Sequence, residues 1–227
     1  MVAAASDLKY ALDSVIADYS AAHRDLAVVV TYGSSGKFFE QISNAAPFDI
    51  FFSADISYPE KLEAMSKTGQ PIRKYGRGRM VIWSKRIDPN TAGMQSLLDK
   101  KVAKIAIANP EHAPYGRRAV EAMKKANLYE QVSPKLVFGE NISQAAQFVT
   151  TGAADAGIVA LSLALSPAMK SQGKYFLIPE SSHQPLDQAV VILKRAEANA
   201  DARAFQDFVL SARGKAILSY FGFSEPK

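Results

Sequence analysis

The sequence predicts an α/β fold built on a mainly parallel sheet. Short apolar runs of strand length alternate almost throughout with amphipathic stretches of helix length, the pattern of strands joined by crossover helices. The chain has 227 residues, 48% of them hydrophobic and 22% charged, which is enough to bury one or two cores without disulfides. It contains no cysteine, which excludes thiol catalysis and cysteine-ligated metal centres.

The individual elements follow from this periodicity. Strands are predicted at Leu26–Thr31, Phe48–Ser53, Met80–Trp83, Lys104–Ala108, Lys135–Phe138, Ala156–Ala160, Tyr175–Ile178 and Ala189–Leu193. Helices are predicted at Asp7–His23, Lys37–Asn44, Pro59–Lys67, Met94–Asp99, Arg117–Ala126, Ser143–Thr151, Ala202–Ser211 and Gly214–Tyr220. With the short apolar start of the chain, the total is eight or nine strands.

Two polar stretches favour two lobes over one large sheet. Arg73–Arg79 carries two glycines, and Glu180–Pro185 is a second polar break roughly a hundred residues later. Two crossings that bracket a central segment predict a first lobe of residues 1–78 with 184–227 and a second lobe of 79–183, joined by a hinge with a ligand cleft between them. Ordinary surface loops have the same composition.

The charge balance raises anions as partners. The formal net charge is +5, but the basic residues form short clusters without interleaved aromatic residues or a nucleic-acid-binding motif. We therefore expect no nucleic acid partner. No window of about 18–20 apolar residues exists, and no secretory signal opens the chain, so any targeting peptide is expected to be absent from it.

The motifs of common enzyme classes are missing from the sequence. It has no nucleophile elbow, zinc-protease motif, dinucleotide fingerprint or phosphate loop. The nearest approach, Gly33–Lys37, is two residues too short for a phosphate loop. The three histidines are scattered and indicate neither a metal site nor a catalytic triad. We expect a protein that is not an enzyme.

Four predicted strands end in a polar turn that opens a helix. These turns are Ala3–Ser6, Val30–Gly36, Ala106–Gly116 and Val137–Ile142. The first N–H groups of a helix have no acceptor within it and lie at the positive end of its dipole, so each start can bind an oxyanion. Ser6 is expected to be the N-cap of the first helix.

The four turns are expected to act together. In open α/β sheets they lie along the carboxyl edge, so two turns from each lobe would converge on one cleft. Hydroxyls of Ser6 and Ser35 add donors, although each serine alone reads as an ordinary helix cap. Neither serine turn contains arginine or lysine, which favours a cage of uncharged donors over a salt-bridged phosphate site.

Several short segments occur in an order typical of one family. They are Ala3–Leu8, Gly33–Gly36 with Gln41 and Ile42, Ala46–Asp55, Asn109–Gly116, Gly157–Val159, Pro179–His183 and Tyr220–Phe223. In this order the chain resembles the periplasmic molybdate-binding proteins of bacterial molybdate ABC transporters over essentially its whole length. Each segment alone is weakly specific, whereas the ordered set is specific.

The resemblance implies a type II periplasmic binding protein fold, with two Rossmann-like lobes joined by a hinge. It implies high-affinity binding of the tetrahedral oxyanion molybdate, or tungstate, in the periplasm and its delivery to a membrane permease of an ABC transporter. A monomer that uses no cofactor and has no catalytic residue is expected.

The resemblance also assigns binding residues by position. Ser6 and Ser35 would donate from the first lobe as ligands of the molybdate oxygens, not of a bare cation, and backbone N–H groups of Tyr115 and Ile142 would donate from the second. Further candidates are their neighbours Ser34, Ala5 and Asn141, together with Ala160.

One position departs from the family. Ala160 stands where the family often has a tyrosine hydroxyl donor, directly after Gly157–Val159. We hypothesise that the hydroxyl of Tyr115 replaces it.

Other functions stay open at this point. A sulfate-, phosphate- or small organic anion-binding protein would share the fold, and an effector-sensing domain of a transcription regulator would share the architecture. An α/β transferase would need a nucleophile or metal that the sequence does not suggest, and an interaction scaffold would show no effect of a small ligand.

Overall fold

A computed structural model describes residues 1–226 of the chain. Its strands and helices are β1 (Val2–Ala5), α1 (Lys9–Ala22), β2 (Val30–Gly33), α2 (Ser35–Ser43), β3 (Ile50–Ser53), α3 (Ser57–Ala64), β4 (Arg73–Gly78), β5 (Met80–Ser84), β6 (Ile105–Ala108), α4 (Pro114–Lys125), α5 (Tyr129–Val132), β7 (Leu136–Gly139), α6 (Ile142–Thr151), β8 (Ala156–Ala160), α7 (Leu161–Ala164), β9 (Lys174–Leu177), β10 (Leu186–Ile192), α8 (Ala200–Leu210) and α9 (Ala212–Tyr220).

The chain divides into two compact units. The first comprises Met1–Arg77 and the stretch from Asp187 onward, and the second is the continuous segment Gly78–Leu186. Each unit contains one five-stranded sheet with flanking helices. The predicted α/β class with two lobes is therefore confirmed.

The first unit is a sheet covered on both faces. Its strand order is β2-β1-β3-β10-β4, with β1 parallel to β2 and β3, and β10 antiparallel to β3. Alternate residues of β3 enter opposite cores: Ile50 and Phe52 pack on the side of α1, α8 and α9, and Phe51 on the side of α2 and α3. Both faces of these strands are apolar because both are buried.

The second unit has the strand order β7-β6-β8-β5-β9. Here β6 is parallel to β7 and β8, whereas β5 is antiparallel to β8 and β9. The three central strands are buried throughout, and α6 packs against β6 and β8. Within residues 1–226, no helix combines the length and apolar character that a membrane span requires.

Both sheets are mixed: each contains parallel pairs, as the sequence predicts, and also at least one antiparallel pair. Parallel neighbours need a crossover connection, usually a helix. β5 follows β4 almost directly, and β10 follows a polar stretch, so no crossover helix precedes either strand. Each of them is antiparallel to a neighbour in its sheet. The described residues form ten strands rather than eight or nine.

Arg73–Arg79 was predicted as a polar break, but most of it forms strand β4. The hydrophobic pattern missed it because its exposed end is Arg73-Lys74 and its buried end includes Arg77, which Asp187 neutralises at 2.7 Å. Tyr75 provides the apolar contact with the core. A bridge between Arg77 and Ser224 then covers one edge of the strand.

Candidate functional site

Three turns of the first unit, two of them with the candidate serines, follow adjacent strands. The parallel register pairs Ala5 at the end of β1 with Gly33 at the end of β2, and Ala4 with Phe52 near the end of β3. The chain segments that begin with Ser6, Ser34 and Ala54 therefore leave the sheet at the same edge.

Ser35 has the best-defined side-chain contact in this group. It is the first residue of α2 and is fully buried. Its Oγ accepts a hydrogen bond from the backbone N–H of Ala54 at 3.0 Å, which ties the turn after β2 to the turn after β3. A serine hydroxyl that accepts one bond still has its own proton to donate. Ser35 can therefore donate its hydroxyl proton while it accepts from Ala54.

Ser34 and Ser6 have different roles at their helix starts. Ser34 is the N-cap of α2, and its side chain accepts from the N–H of Lys37 at 3.4 Å. Ser6 was expected to be an N-cap as well, and this is wrong. The chain enters α1 through a 3-10 turn, Ser6–Leu8, so Ala5 is the cap and Ser6 is already inside the turn and buried.

The backbone turns of the second unit repeat the arrangement. Ala108 at the end of β6 pairs with Gly139 at the end of β7. Tyr115 is the second residue of α4, after Pro114, and Ile142 is the first residue of α6, after the N-cap Asn141. Their N–H groups are in the first turn, where a helix offers no internal acceptor. Both side chains are buried.

The turn that opens α4 lies close against β6. A Cβ added at Gly116 would be 2.1 Å from the carbonyl oxygen of Ala108. The oxygen of Asn141 accepts from the N–H of Gln144 at 3.1 Å and so fixes the start of α6. Both helix starts are thus held against the carboxyl edge of their own sheet.

Ala5 and Ala160 can contribute only backbone groups. Ala5 ends β1, and Ala160 ends β8 and is the cap of the four-residue helix α7. Both methyl side chains are buried. No side-chain oxygen stands at Ala160, so this position offers no hydroxyl donor.

Sequence reasoning missed two groups close to these turns. His112 is buried, and its Nε2 lies 3.6 Å from the carboxylate of Glu140. This contact joins the segment after β6 to the segment after β7. In the first unit, Asp7 is buried directly beside Ser6 and accepts from the side chain of Gln188 at 2.7 Å. The sequence does carry a signal for Asp7, because its carboxylate interrupts the apolar pattern at the start of the first helix.

Two grooves in the units lie away from these helix starts. One groove of about 790 Å³ is lined by Ser84, Lys85, Arg86 and Lys174, at the edge of the second sheet where β8 begins. Another, of about 530 Å³, lies beside Phe48 in the first unit, where β3 begins. Both are at the opposite sheet edge from the helix starts. Among residues 1–226, no cluster of three or more His, Asp or Glu could hold a metal ion.

Comparisons with known proteins agree with the fold. The family model described as bacterial extracellular solute-binding protein matches residues 1–224. The molybdate-binding protein ModA of Rhodobacter capsulatus is 37% identical over 86% of this chain and 77% of its own length. ModA of Azotobacter vinelandii is 35% identical over 92% of this chain and 88% of its own. The solved periplasmic molybdate-binding protein of Azotobacter vinelandii superimposes with a TM-score of 0.91 at 29% identity, covering 100% and 99% of the two chains.

Proposed function

The chain belongs to the bacterial extracellular solute-binding proteins and, among them, to the molybdate-binding proteins, and on that premise we propose that it binds molybdate for an ABC transporter. The observation that carries the proposal is the pair of buried helix starts at the carboxyl edge of each sheet, with serine donors in one unit and backbone donors in the other. Tungstate, which has the same shape and charge, is proposed as a second ligand.

The proposed ligand shell consists of neutral donors. Hydroxyl and N–H groups of Ser6 and Ser35 donate from the first unit, and N–H groups of Tyr115 and Ile142 from the second. The hydroxyl of Tyr115 is proposed to replace the donor missing at Ala160. Backbone and side-chain groups at Ser34, Ala5 and Asn141 complete the shell.

Neutral donors suit a fully deprotonated dianion. Molybdate accepts hydrogen bonds at all four oxygens and carries no proton, so it has no use for a carboxylate acceptor. Hydrogen bonds from oriented groups to an anion are stronger than bonds between neutral groups. Sulfate has the same charge and shape, so discrimination between the two must come from the size of the shell.

We place the protein in the periplasm, where it acts as a monomeric carrier that passes its ligand to the membrane permease. The proposal assigns it no catalytic step and no cofactor. Its named relatives are binding proteins, which supports this part of the proposal. Ligand exchange between carrier and permease then depends on how tightly the carrier holds the anion.

Calorimetric titration and thermal shift with molybdate, tungstate, sulfate and phosphate test the proposal. A ligand that binds only the folded chain at 100 times its Kd raises stability by about 2.7 kcal/mol, or about 5–10 °C for this length. Shifts with molybdate and tungstate alone are expected. A shift with sulfate or phosphate instead would contradict the ligand, and no shift with any of them would contradict oxyanion binding.

The Tyr115→Phe variant tests the replacement donor. It keeps the ring and the backbone N–H and removes only the hydroxyl. We expect molybdate affinity to fall about tenfold, the value of one hydrogen bond to a charged acceptor. Unchanged affinity would remove the hydroxyl from the proposed shell.

A further inference from the structure

A network of buried polar side chains lies directly behind the Ser6 turn. Asp7, Gln188 and Tyr75 are 1%, 0% and 2% exposed. Nε2 of Gln188 donates to Oδ2 of Asp7 at 2.7 Å, and the hydroxyl of Tyr75 lies 2.6 Å from Oε1 of Gln188. The same hydroxyl is 3.2 Å from the carbonyl oxygen of Ser53. All four residues belong to the first unit.

The chemistry of the groups fixes the direction of these bonds. A carboxylate only accepts, so the amide nitrogen of Gln188 must face Asp7 and its oxygen must face Tyr75. Tyr75 must then donate its proton. Burial and the charge of Asp7 raise the pKa of Tyr75 well above its usual value, so the hydroxyl keeps that proton.

This hydrogen-bonded network joins the Ser6 turn to β4, which leads out of the first unit, and to β10, which leads back into it. Tyr75 is in β4, two residues before the last residue of the unit's first segment, Arg77. Gln188 is in β10, one residue after Asp187, with which the second segment begins. Arg77 and Asp187 are themselves paired at 2.7 Å.

Stability alone does not explain a buried carboxylate here. Replacing buried ionic groups with well-packed apolar residues is often neutral or stabilising. A negative charge one residue from Ser6 also repels a bound dianion. A requirement for exact placement of the turn accounts for the buried hydrogen bonds, because an acceptor held by a fixed amide defines one position for the turn.

We propose that Asp7, Gln188 and Tyr75 are positioning residues that hold the Ser6 turn in its binding geometry. This inference rests on the proposed function, since the Ser6 donors are what the network positions. The network acts through hydrogen bonds, and the charge of Asp7 opposes binding. Removing the bonds therefore weakens oxyanion binding, while removing the charge alone does not.

The decisive variants are Gln188→Leu and Asp7→Asn. Gln188→Leu removes both amide bonds, and we expect the Kd for molybdate in calorimetry to rise at least about tenfold. Asp7→Asn keeps an oxygen that can accept from Gln188 and removes the charge, so its Kd should stay within about threefold of the original or fall. Tyr75→Phe, which keeps the ring packed on Phe52 and Phe223, is a milder variant with an expected rise of about threefold.

Gln206→Leu is the matched control. Gln206 is also a buried glutamine of the first unit, on α8, and its amide nitrogen has no partner among the described residues. The chemical change is the same, but no bond to the Ser6 turn is lost. Its Kd should stay unchanged. An equal rise in Kd for Gln206→Leu and Gln188→Leu would overturn the proposal, as would a large rise for Asp7→Asn.

Hydrogen exchange of the ligand-free protein separates this proposal from the proposed function. Gln188→Leu should speed amide exchange at Ser6–Leu8 at least about fivefold, while Gln206→Leu leaves exchange there unchanged. This readout needs no ligand, so it tests the network even if the original chain binds no oxyanion. Unchanged exchange in Gln188→Leu would overturn the positioning role whatever anion the protein binds.

Discussion

Ser35 is the proposed binding residue whose contacts the fold defines best. Its Oγ is the acceptor for the N–H of Ala54, and its own proton is proposed to donate to the ligand. Ser35→Ala leaves that buried N–H without an acceptor, at a cost of about 1–3 kcal/mol in the free energy of unfolding. It also removes a charge-assisted donor, so we expect molybdate affinity to fall about 10- to 100-fold in calorimetry.

Ser211→Ala is the control for that prediction. Ser211 caps α9, where its Oγ accepts from the N–H of Gly214 at 3.2 Å, far along the chain from any proposed donor. Loss of a cap costs about 0.5–2 kcal/mol. Its melting temperature should fall while its affinity stays unchanged. Equal affinity in Ser35→Ala and the original chain would contradict the role of Ser35.

At the residue level, the sequence located the helix starts better than the groups buried behind them. Ser35, Tyr115 and Ile142 lie at the end of a turn between an apolar run and a helix, so a strand-turn-helix pattern finds their positions. Asp7 and Gln188 are 181 residues apart, and no local pattern pairs them. The cap role of Ser6 was mistaken because a 3-10 turn shifts the helix start by one residue, a difference that residue preferences do not resolve.

The start of α4 depends on close contact between a helix and a strand. A methyl group at Gly116 would be 2.1 Å from the oxygen of Ala108, so the backbone of one element must move. We expect Gly116→Ala to cost about 1–3 kcal/mol in unfolding free energy. Displacing Tyr115 in the same turn should also weaken molybdate binding at least about tenfold, measured by calorimetry.

Gly152→Ala is the corresponding control. Gly152 ends α6 with φ of +82°, and an added Cβ would meet nothing within 4 Å. The left-handed backbone alone costs about 1–2 kcal/mol for another residue. Stability should therefore fall without loss of affinity. A Gly116→Ala variant that binds normally would show that this helix start is not part of the binding site.

Asp155 ties the beginnings of β6 and β8 together. Its Oδ2 accepts from the N–H groups of Ala103 and Lys104 at 2.8 and 2.9 Å, and Oδ1 pairs with Arg86 at 2.8 Å. Burial alone would raise the pKa of Asp155, but these bonds and charges hold it below its usual value. A carboxyl group whose pKa is lower in the folded than in the unfolded state stabilises the protein at pH values above its unfolded-state pKa. This stabilisation is lost as the pH falls through the folded-state pKa.

Asp155→Ala should therefore be a pH-dependent variant. At pH 7 we expect a loss of about 2–4 kcal/mol, because two N–H groups lose their acceptor. The difference in melting temperature should narrow as pH falls below about 4, where the unfolded side chain takes up a proton before the folded one does. Asp18→Ala, which removes an exposed partner of Arg213, is the control and should change stability little. A constant difference across this range would contradict the prediction.

At the element level, strands with apolar runs on both faces were predicted closely. β8 has the predicted bounds, and β5 and β6 differ by one residue, because burial on both faces leaves an uninterrupted apolar run. β4 was missed because tertiary contacts satisfy its polar residues: Arg77 pairs with Asp187 and bonds to the backbone of Ser224. The pattern of one segment does not reveal partners supplied by distant ones.

At the level of the whole molecule, the two units differ in how the chain builds them. The second unit is one uninterrupted segment with its own sheet, whereas the first is assembled from two segments far apart in sequence. The second unit has the size of a small independent domain, about 110 residues. Large residues such as Trp83, Ile82, Ile105 and Ile107 are fully buried within its central strands.

We therefore expect residues 78–186, produced alone, to fold and to unfold cooperatively in circular dichroism, and residues 1–77 alone to remain unfolded. The second prediction follows because β10 lies between β3 and β4 in the first sheet, so the N-terminal segment lacks a central strand.

The isolated second unit retains only backbone donors and the hydroxyl of Tyr115. It should bind molybdate at least about 100-fold more weakly than the whole chain, since the serine hydroxyls are gone. Full affinity in that fragment would assign the ligand to one unit and would contradict the proposed shell of donors from both.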